Sequence, residues 1–251
     1  MKHVIALLYV LFALASSAQA QRNEILAPNI ASLQVIANND WMSLPVITLD
    51  NGEYVTIGFD ELSHVVHRYC YKIEHCEADW TTSEELFESD FVNGFATGNT
   101  IDDAEQSINT NTLYTHYAFT LPNDKCAPRL SGNYRVTVYD ENNDSQPVLT
   151  ACFMIVEPGM KVGLSVTSNT DIDINHSHQQ VSMSVDYGGL RVTDPATQIR
   201  TVILQNERWD NAVVNAKPQY VRSDGLMWDH NRDLIFPAGN EYRKFEMLDV
   251  T

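Results

Sequence analysis

Two neighbouring stretches of the chain decide its fold class: residues 131–139, SGNYRVTVY, and residues 147–156, PVLTACFMIV. Both are rich in the β-branched and aromatic residues that pack well on a pleated sheet. The polar run Asp140–Ser145 lies between them and supplies residue types that favour turns. This order predicts an antiparallel hairpin, with one strand over Asn133–Tyr139 and the next over Pro147–Val156.

The start of the first strand carries a second indication of the fold. Gly132 and Tyr134 are spaced as in the tyrosine corner of immunoglobulin-like sandwiches, whose tyrosine hydroxyl bonds to backbone upstream. The cysteine that immunoglobulin domains place two residues after this tyrosine is absent, because Val136 stands there. We therefore predict an immunoglobulin-like sandwich without the inter-sheet disulfide.

Further β-rich runs follow one another at nearly regular spacing along the chain. Ser43–Leu49 and Tyr54–Phe59 flank Asp50–Glu53, and the Asn-Gly turn between them predicts a second hairpin. Many short strands separated by turns are typical of β-sandwiches. We predict an all-β protein made of tandem immunoglobulin-like or fibronectin-like β-sandwiches, with little helix.

The predicted strands fall into two sets. Glu157-Pro158-Gly159 ends the first set, because Pro and Gly together interrupt a strand, and the second set begins at Lys161. We therefore predict an N-terminal β-sandwich over residues 21–158 and a second β domain over residues 159–251.

The first 20 residues have the features of a secretory signal peptide. Lys2 precedes the apolar run Val4–Ala15, and an A-x-A ending follows at residues 18–20. A membrane-spanning helix is disfavoured, because it needs about 20 apolar residues. We predict cleavage between Ala20 and Gln21 and export to the periplasm. No cysteine follows this cleavage position, so we expect no covalent membrane anchor.

The charge balance excludes some classes of partner. The chain has 16 basic and 33 acidic residues, which gives a net charge of -17. An acidic surface repels phosphate backbones and has no basic patch to hold anionic lipid. We therefore expect no binding to nucleic acid and no polybasic membrane anchor.

The four cysteines, Cys70, Cys76, Cys126 and Cys152, would enter an oxidising compartment, in which disulfides persist. The sequence leaves their connectivity open, and unpaired buried thiols are an alternative of equal weight.

The sequence offers no catalytic or metal-binding motif. His176 and His178 are spaced for one face of a strand, but a metal site needs further ligands, so exposed histidines are the favoured interpretation. Nucleophile-elbow, zinc-protease, Walker and dinucleotide motifs are absent from the sequence. We expect a protein that is not an enzyme, with no catalytic residue, metal or cofactor.

A series of short motifs resembles the type IX secretion system plug proteins. The longest is Ile73-Glu74-His75-Cys76-Glu77-Ala78-Asp79-Trp80, which is similar to the family's I-x-H-C-x-A-D-W stretch. The other similar stretches follow in the family's order: Asn93–Phe95, Ile101–Asp103, Ser107–Thr110, Tyr114–Tyr117, Leu121–Asn123, Leu130–Tyr134, Val202–Asn206, Arg208–Ala212 and Phe236–Glu241. Each motif alone is weak, but together they cover most of the chain after residue 20.

This resemblance implies a function and a partner. Plug proteins of this family dock on the periplasmic mouth of the outer-membrane translocon barrel (SprA-like) and occlude its pore. The closure would be steric, by a folded β module, without catalysis. The family continues well beyond the F-P-x-G-N-E stretch, whereas this sequence stops at Thr251. We therefore expect an incomplete second domain or a truncated form of the chain.

Docking of this kind needs a complementary face of about 1,000 Å² or more with aromatic anchors. The polar segment 79–103 carries Trp80, Phe87, Phe91 and Phe95, which we predict as partner-binding residues. The alternative, of equal weight, is that the segment 79–103 packs on itself, caps the sandwich and contacts no partner. The alternative function is a carbohydrate-binding β-sandwich module of an exported glycan-utilisation system, which would need several coplanar Trp and Tyr side chains.

Overall fold

The structure is a computed structural model that describes residues 23–174 and 176–239. The chain divides into two compact units, one ending at Glu157 and the other beginning at Pro158. The predicted signal peptide, residues 1–20, lies outside the described residues. Within the described part of the chain, no helix is both long enough and apolar enough to cross a membrane.

The first unit is built from short strands. Its elements are, in chain order, β1 (Glu24–Ile25), β2 (Ile30–Ala37), β3 (Val46–Thr48), β4 (Val55–Glu61), β5 (Tyr69–Cys76), α1 (Glu88–Phe91), β6 (Val92–Gly94), β7 (Asn99–Thr100), β8 (Asp103–Gln106), β9 (Thr115–Leu121), β10 (Cys126–Pro128), β11 (Gly132–Asp140) and β12 (Asn143–Val156). The two main sheets have the orders β1–β12–β11–β5–β7, with β3 added beside β12, and β2–β4–β9–β8. β6 and β10 pair as a separate two-stranded sheet.

The two sheets enclose one apolar core. Side chains alternate across each strand, so Tyr134 and Val136 of β11 join Ile57 and Phe59 of β4 in a single buried cluster. Burial of apolar side chains of this size stabilises the fold by about 1.5–3 kcal/mol each, before the entropy cost of ordering the chain. The predicted all-β sandwich fold is confirmed.

The hairpin that decided the fold class forms as predicted. β11 and β12 pair in antiparallel register from Gly132 opposite Ile155 to Asp140 opposite Asn143. The hydroxyl of Tyr134 donates to the carbonyl oxygen of Leu130 at 2.8 Å, which confirms the tyrosine corner.

Glycine is required where the chain enters this corner. Gly132 has a φ of +146°, and a Cβ there would lie 2.2 Å from Nε2 of His75. Nε2 of the same imidazole donates a hydrogen bond to the carbonyl oxygen of Ser131 at 3.1 Å. A larger residue at position 132 would therefore displace the His75 imidazole from the tyrosine corner.

The prediction of a hairpin around Asn51 and Gly52 is wrong. β3 pairs in parallel with β12, whereas β4 pairs with β2 and β9 in the other sheet. The turn therefore carries the chain from one sheet to the other. Glu53 stabilises it, because its carboxylate accepts hydrogen bonds from the Thr48 amide at 2.6 Å and from the Asn51 side chain at 2.9 Å.

The second unit is smaller. Its elements are β13 (Lys161–Thr167), β14 (His178–Asp186), α2 (Pro195–Gln198), β15 (Val202–Gln205), β16 (Arg208–Val214), β17 (Tyr220–Val221), β18 (Gly225–Trp228), a 3₁₀ helix (Arg232–Leu234) and β19 (Ile235–Pro237). One sheet has the order β13–β14–β18–β17, with β19 also beside β14, and β15 pairs with β16. Its buried cluster includes Val181, Met183, Val185 and Trp228.

The first strand of this unit is unusual, because all seven residues of β13 are exposed. Its apolar residues Val162, Leu164 and Val166 lie opposite residues of β14 that are buried. In the described part of the chain, β13 thus has a free edge and an uncovered apolar face.

All four cysteines are buried, and Cys70, Cys76 and Cys126 carry free thiols. Burial raises the pKa of the Cys76 thiol and of the Cys126 thiol to about 11 each. For these three residues the structure favours the buried-thiol alternative over a disulfide framework.

Candidate partner interface

Trp80, the first predicted anchor, is a packing residue in this structure. Its side chain is only 2% exposed and lies in a small cluster with Cys76 and Cys152, against which Met154 packs. The guanidinium group of Arg135 donates to the carbonyl oxygen of Trp80. The ring is therefore not available to a partner unless this part of the unit opens.

Phe91 is also buried, at the end of α1. It belongs to the main core of the first unit, where its ring lies 6.4 Å from that of Tyr134. Its carbonyl oxygen accepts a longer hydrogen bond of 3.4 Å from the Tyr134 hydroxyl. Phe91 therefore links the helix to the tyrosine corner and does not form part of the surface.

Phe87 and Phe95, by contrast, are exposed by 77% and 69%. Phe87 precedes α1, and its backbone amide donates to the Asp90 carboxylate at 2.9 Å, which fixes the start of the helix. The Phe95 amide donates to the Lys125 carbonyl oxygen at 2.9 Å. At Gly94, with a φ of +98°, a Cβ would lie 2.2 Å from that same oxygen. Both rings thus project from backbone that is held in place.

A second exposed apolar surface lies at one end of the first sandwich, and the sequence did not reveal it. It consists of the loops 62–66 and 107–114, which we call the loop tip. Its exposed aliphatic residues are Leu62, Val65, Val66, Ile108 and Leu113. Ile108 is 82% exposed and Val65 is 62% exposed, so the tip projects into solvent instead of packing on the sandwich.

Hydrogen bonds join the two loops of the tip. Nε2 of His64 lies 3.0 Å from both the carbonyl and the hydroxyl oxygen of Ser107. The hydroxyl of Thr115 donates to the Ser63 carbonyl oxygen at 2.7 Å, and the Gln106 side chain donates to the His64 carbonyl oxygen. The loops therefore present their apolar side chains from one joined support.

A buried carboxylate lies directly beneath the tip. Glu61, at the end of β4, is 1% exposed and accepts a hydrogen bond of 3.2 Å from the Asn29 side chain. Nδ1 of His67 lies 2.7 Å from its Oε1. Burial raises the pKa of the Tyr69 hydroxyl, and the nearby Glu61 charge raises it further. Through its contacts with Asn29 and His67, Glu61 connects three segments of the chain at this end of the sandwich.

Charged residues border the tip but do not enter it. A groove of about 550 Å³ beside Ile108 is lined by Asp60, Glu105 and His116, among other residues. His116 Nδ1 lies 2.7 Å from the Asp60 carboxylate. The two tip loops themselves contain no Asp, Glu, Lys or Arg.

The histidines singled out in the sequence have separate structural partners. Nδ1 of His176 lies 2.7 Å from the Ser168 hydroxyl, and Nδ1 of His178 lies 2.5 Å from the Asp173 carboxylate. Within residues 23–174 and 176–239, no group of three or more His, Cys, Asp or Glu side chains is arranged to hold a metal ion.

The tryptophans do not form the aromatic platform that carbohydrate binding would need. Trp41 is exposed, Trp209 is half-buried, and both Trp80 and Trp228 are buried. The indole N–H of Trp228 donates to the Ala216 carbonyl oxygen at 2.7 Å inside the second unit. One exposed Trp among four gives no support to the alternative function.

The fold defines a β-sandwich module that carries exposed apolar residues on its loops. Residues 30–157 match the family described as type 9 secretion system plug protein 1st domain. The match covers half of the sequence, so the chain belongs to the type IX secretion system plug protein family. Membership implies a protein associated with the secretion machinery of the cell envelope.

A solved structure supports the same fold. A hypothetical protein from Parabacteroides merdae ATCC 43184 is 41% identical and superposes with a TM-score of 0.86. The aligned region covers 92% of this chain and 58% of that protein's chain. The sequence thus spans little more than half of the relative's length. No curated protein matches the chain.

Proposed function

We propose that this protein is a periplasmic plug of the type IX secretion translocon. It binds the periplasmic mouth of the outer-membrane barrel (SprA-like) and occludes its pore, and it does so without catalysis. The family match over residues 30–157 is the observation that carries this proposal. The signal peptide predicted at residues 1–20 agrees with a periplasmic location.

The mechanism is steric closure. A plug must resist deformation when it blocks a pore, and a close-packed sandwich core has the low compressibility that this requires. The net charge of -17 favours a mouth lined by basic residues, because complementary potentials raise the rate of encounter and disfavour wrong partners.

Phe87 and Phe95 are the anchors that we propose for this docking. Both rings lie in the segment that matches the family, and both are exposed on backbone held by hydrogen bonds. Because their supports are already formed, docking would not require ordering of the loop, which lowers the entropic cost of binding. Trp80 and Phe91 act indirectly, by packing the segment that carries these rings.

Co-purification tests the proposal. Tagged wild-type protein is expected to capture the barrel from detergent-solubilised membranes. The double variant Phe87→Asp/Phe95→Asp is expected to capture at least about tenfold less, because anchor residues typically contribute 2 kcal/mol or more. Tyr220→Asp is the matched control, since it replaces another exposed aromatic (58%) in the second unit.

The outcomes test the plug function and the assignment of the docking residues separately. A wild-type protein that never captures the barrel contradicts the plug proposal. If the double variant captures the barrel as well as wild type does, the plug function stands and the assignment of Phe87 and Phe95 is wrong.

A further inference from the structure

An exposed turn after β2 carries two large apolar side chains. Trp41 is 67% exposed and Met42 is 83% exposed. Trp is among the residues that contribute most to the binding energy of protein interfaces, and the flexible thioether of Met adapts to the shape of a partner. We call residues 38–43 the Trp41 turn. Side chains of these two types in one exposed turn indicate a contact with another protein.

Hydrogen bonds hold the Trp41 turn in one conformation. The Asn38 amide donates to the Tyr54 carbonyl oxygen at 2.9 Å, and the Asn38 side-chain oxygen accepts from the Tyr54 amide at 3.0 Å. The Asp40 carboxylate accepts from the Met42 amide at 3.0 Å and from the Ser43 hydroxyl at 2.5 Å. The two apolar side chains therefore project from a formed support, and docking does not require ordering of the turn.

The Trp41 turn lies at the same end of the first sandwich as Phe95. β2 ends at Ala37 opposite Val55, the first residue of β4, and Val55 lies opposite Leu121, the last residue of β9. Four residues after Leu121, the Lys125 carbonyl oxygen accepts the hydrogen bond from the Phe95 amide. The loop tip follows the other end of the β4–β9 pair, so it lies at the opposite end of the sandwich. One partner can therefore contact both the Trp41 turn and Phe95.

The charges around the Trp41 turn are negative. Residues 23–67 include six Asp and Glu residues and no Lys or Arg. Asp40 lies within the turn, and Asp50 lies in the neighbouring turn between β3 and β4. Lys125 lies at the same end, but its ammonium group pairs with the Asp102 carboxylate at 2.8 Å.

This charge favours a basic protein surface over lipid as the partner. Complementary potentials across an interface raise the rate of encounter and disfavour wrong partners. Lys or Arg side chains around an apolar pocket would provide that complement to the carboxylates beside the Trp41 turn. A lipid surface would not, because anionic headgroups repel carboxylates and zwitterionic headgroups carry no net charge.

We infer that Trp41 and Met42 form a further anchor of plug docking and enter an apolar pocket of the partner protein that Lys or Arg side chains border. The inference rests on the proposed function, in which that partner is the translocon barrel. The residues that contribute most to binding cluster near the centre of an interface, and the Trp41 turn and Phe95 share one end of the first unit.

Site-specific photo-crosslinking locates the contact. Met42→benzoylphenylalanine in the full exported chain is expected to crosslink to the barrel in membranes that contain the translocon. Ile108→benzoylphenylalanine is the matched control. Ile108 is equally exposed, at 82%, but lies at the other end of the sandwich, so it is expected to give no crosslink to the barrel.

Barrel capture measures the contribution of the anchor. Trp41→Ala/Met42→Ala is expected to capture at least about tenfold less barrel from detergent-solubilised membranes than wild type does. Val65→Ala/Ile108→Ala removes exposed apolar side chains at the other end and is expected to capture the barrel as wild type does. Far-UV circular dichroism and the thermal midpoint are measured for each variant, so that loss of folding is recognised.

Charge reversal tests the basic border of the pocket. Asp50→Lys is expected to capture less barrel than wild type at an ionic strength of about 0.1 M. The difference is expected to shrink at about 1 M, where the screening length falls to about 3 Å. Glu105→Lys makes the same change in charge near the loop tip and is expected to have a smaller effect. An equal loss of capture in the two folded variants would contradict a basic border at the Trp41 turn.

The remaining outcomes distinguish this inference from the plug proposal. If wild type captures the barrel and the folded Trp41→Ala/Met42→Ala variant captures it equally well, the inference is overturned and the plug function stands. Equal crosslinking from positions 42 and 108, or none from position 42, also overturns it. Flotation of wild type with phosphatidylcholine vesicles that the alanine variant loses would show a lipid contact instead. Wild-type protein that never captures the barrel contradicts both proposals.

Discussion

Replacement of Trp80 by alanine would show whether this residue packs the fold or contacts the partner. The side chain is 2% exposed among Cys76, Cys152 and Met154, so its removal leaves a cavity in that cluster. Truncating a buried Trp to Ala costs about 3–5 kcal/mol. For a unit of this size, each kcal/mol lowers the thermal midpoint by about 3–5 °C, so we expect a fall of about 9–25 °C.

The measurement is urea unfolding followed by circular dichroism, with the thermal midpoint as a second observable. Trp80→Phe is the first control, because it keeps a ring in the cluster and should recover part of the loss. Phe87→Ala is the second control. Its ring is exposed, so the free energy of unfolding should change by no more than about 0.5 kcal/mol.

The backbone does not confound this comparison between variants. Trp80 has a φ of +67°, a conformation that alanine and phenylalanine also adopt only with strain. The difference between the two replacements therefore reports on side-chain packing. If Trp80→Ala unfolds within about 1 kcal/mol of wild type and yet loses barrel capture, the packing argument is refuted and Trp80 is a docking residue.

Three further predictions follow from single contacts. Tyr134→Phe removes the hydroxyl of the tyrosine corner, and we expect a loss of about 1–3 kcal/mol in urea unfolding. The Cys76 and Cys126 thiols, with pKa values of about 11, should react with a maleimide at pH 8 only after unfolding; labelling of the folded protein would contradict their burial. The hydrogen bond from His230 to Asp171 raises the pKa of His230, so Asp171→Asn should lower the pKa measured by NMR. Because the pKa of His230 is raised in the folded state, this pair stabilises the fold below pH 6.5, and the contribution is lost as pH rises through the raised pKa.

The candidate site was only partly predictable from the sequence. The sequence predicts anchors in the segment 79–103, but it does not separate exposed Phe87 and Phe95 from buried Trp80 and Phe91. All four are large aromatic residues in a polar segment without strand or helix periodicity. Their exposure depends on the strands and corner beneath them, which belong to distant parts of the chain.

The loop tip shows a different limit of sequence analysis. Residues 62–66 and 107–114 are far apart in the chain, and each loop is short. They form one surface because β4 and β9 pair along their length and bring the two loops to the same end of the sandwich. An absence of charge in both loops was visible in the sequence, but its meaning depended on that pairing.

By itself, the sequence determined the all-β class, the hairpin from Gly132 to Val156 and the tyrosine corner. Those features depend on residues close together in the chain, where side-chain alternation and turn residues act directly on the backbone. Only the tertiary structure decided that β3 and β4 join opposite sheets, because a turn reverses the chain without choosing the strand against which the next segment pairs. It also decided which aromatic residues reach the surface, because burial is set by contacts between segments that are distant in sequence.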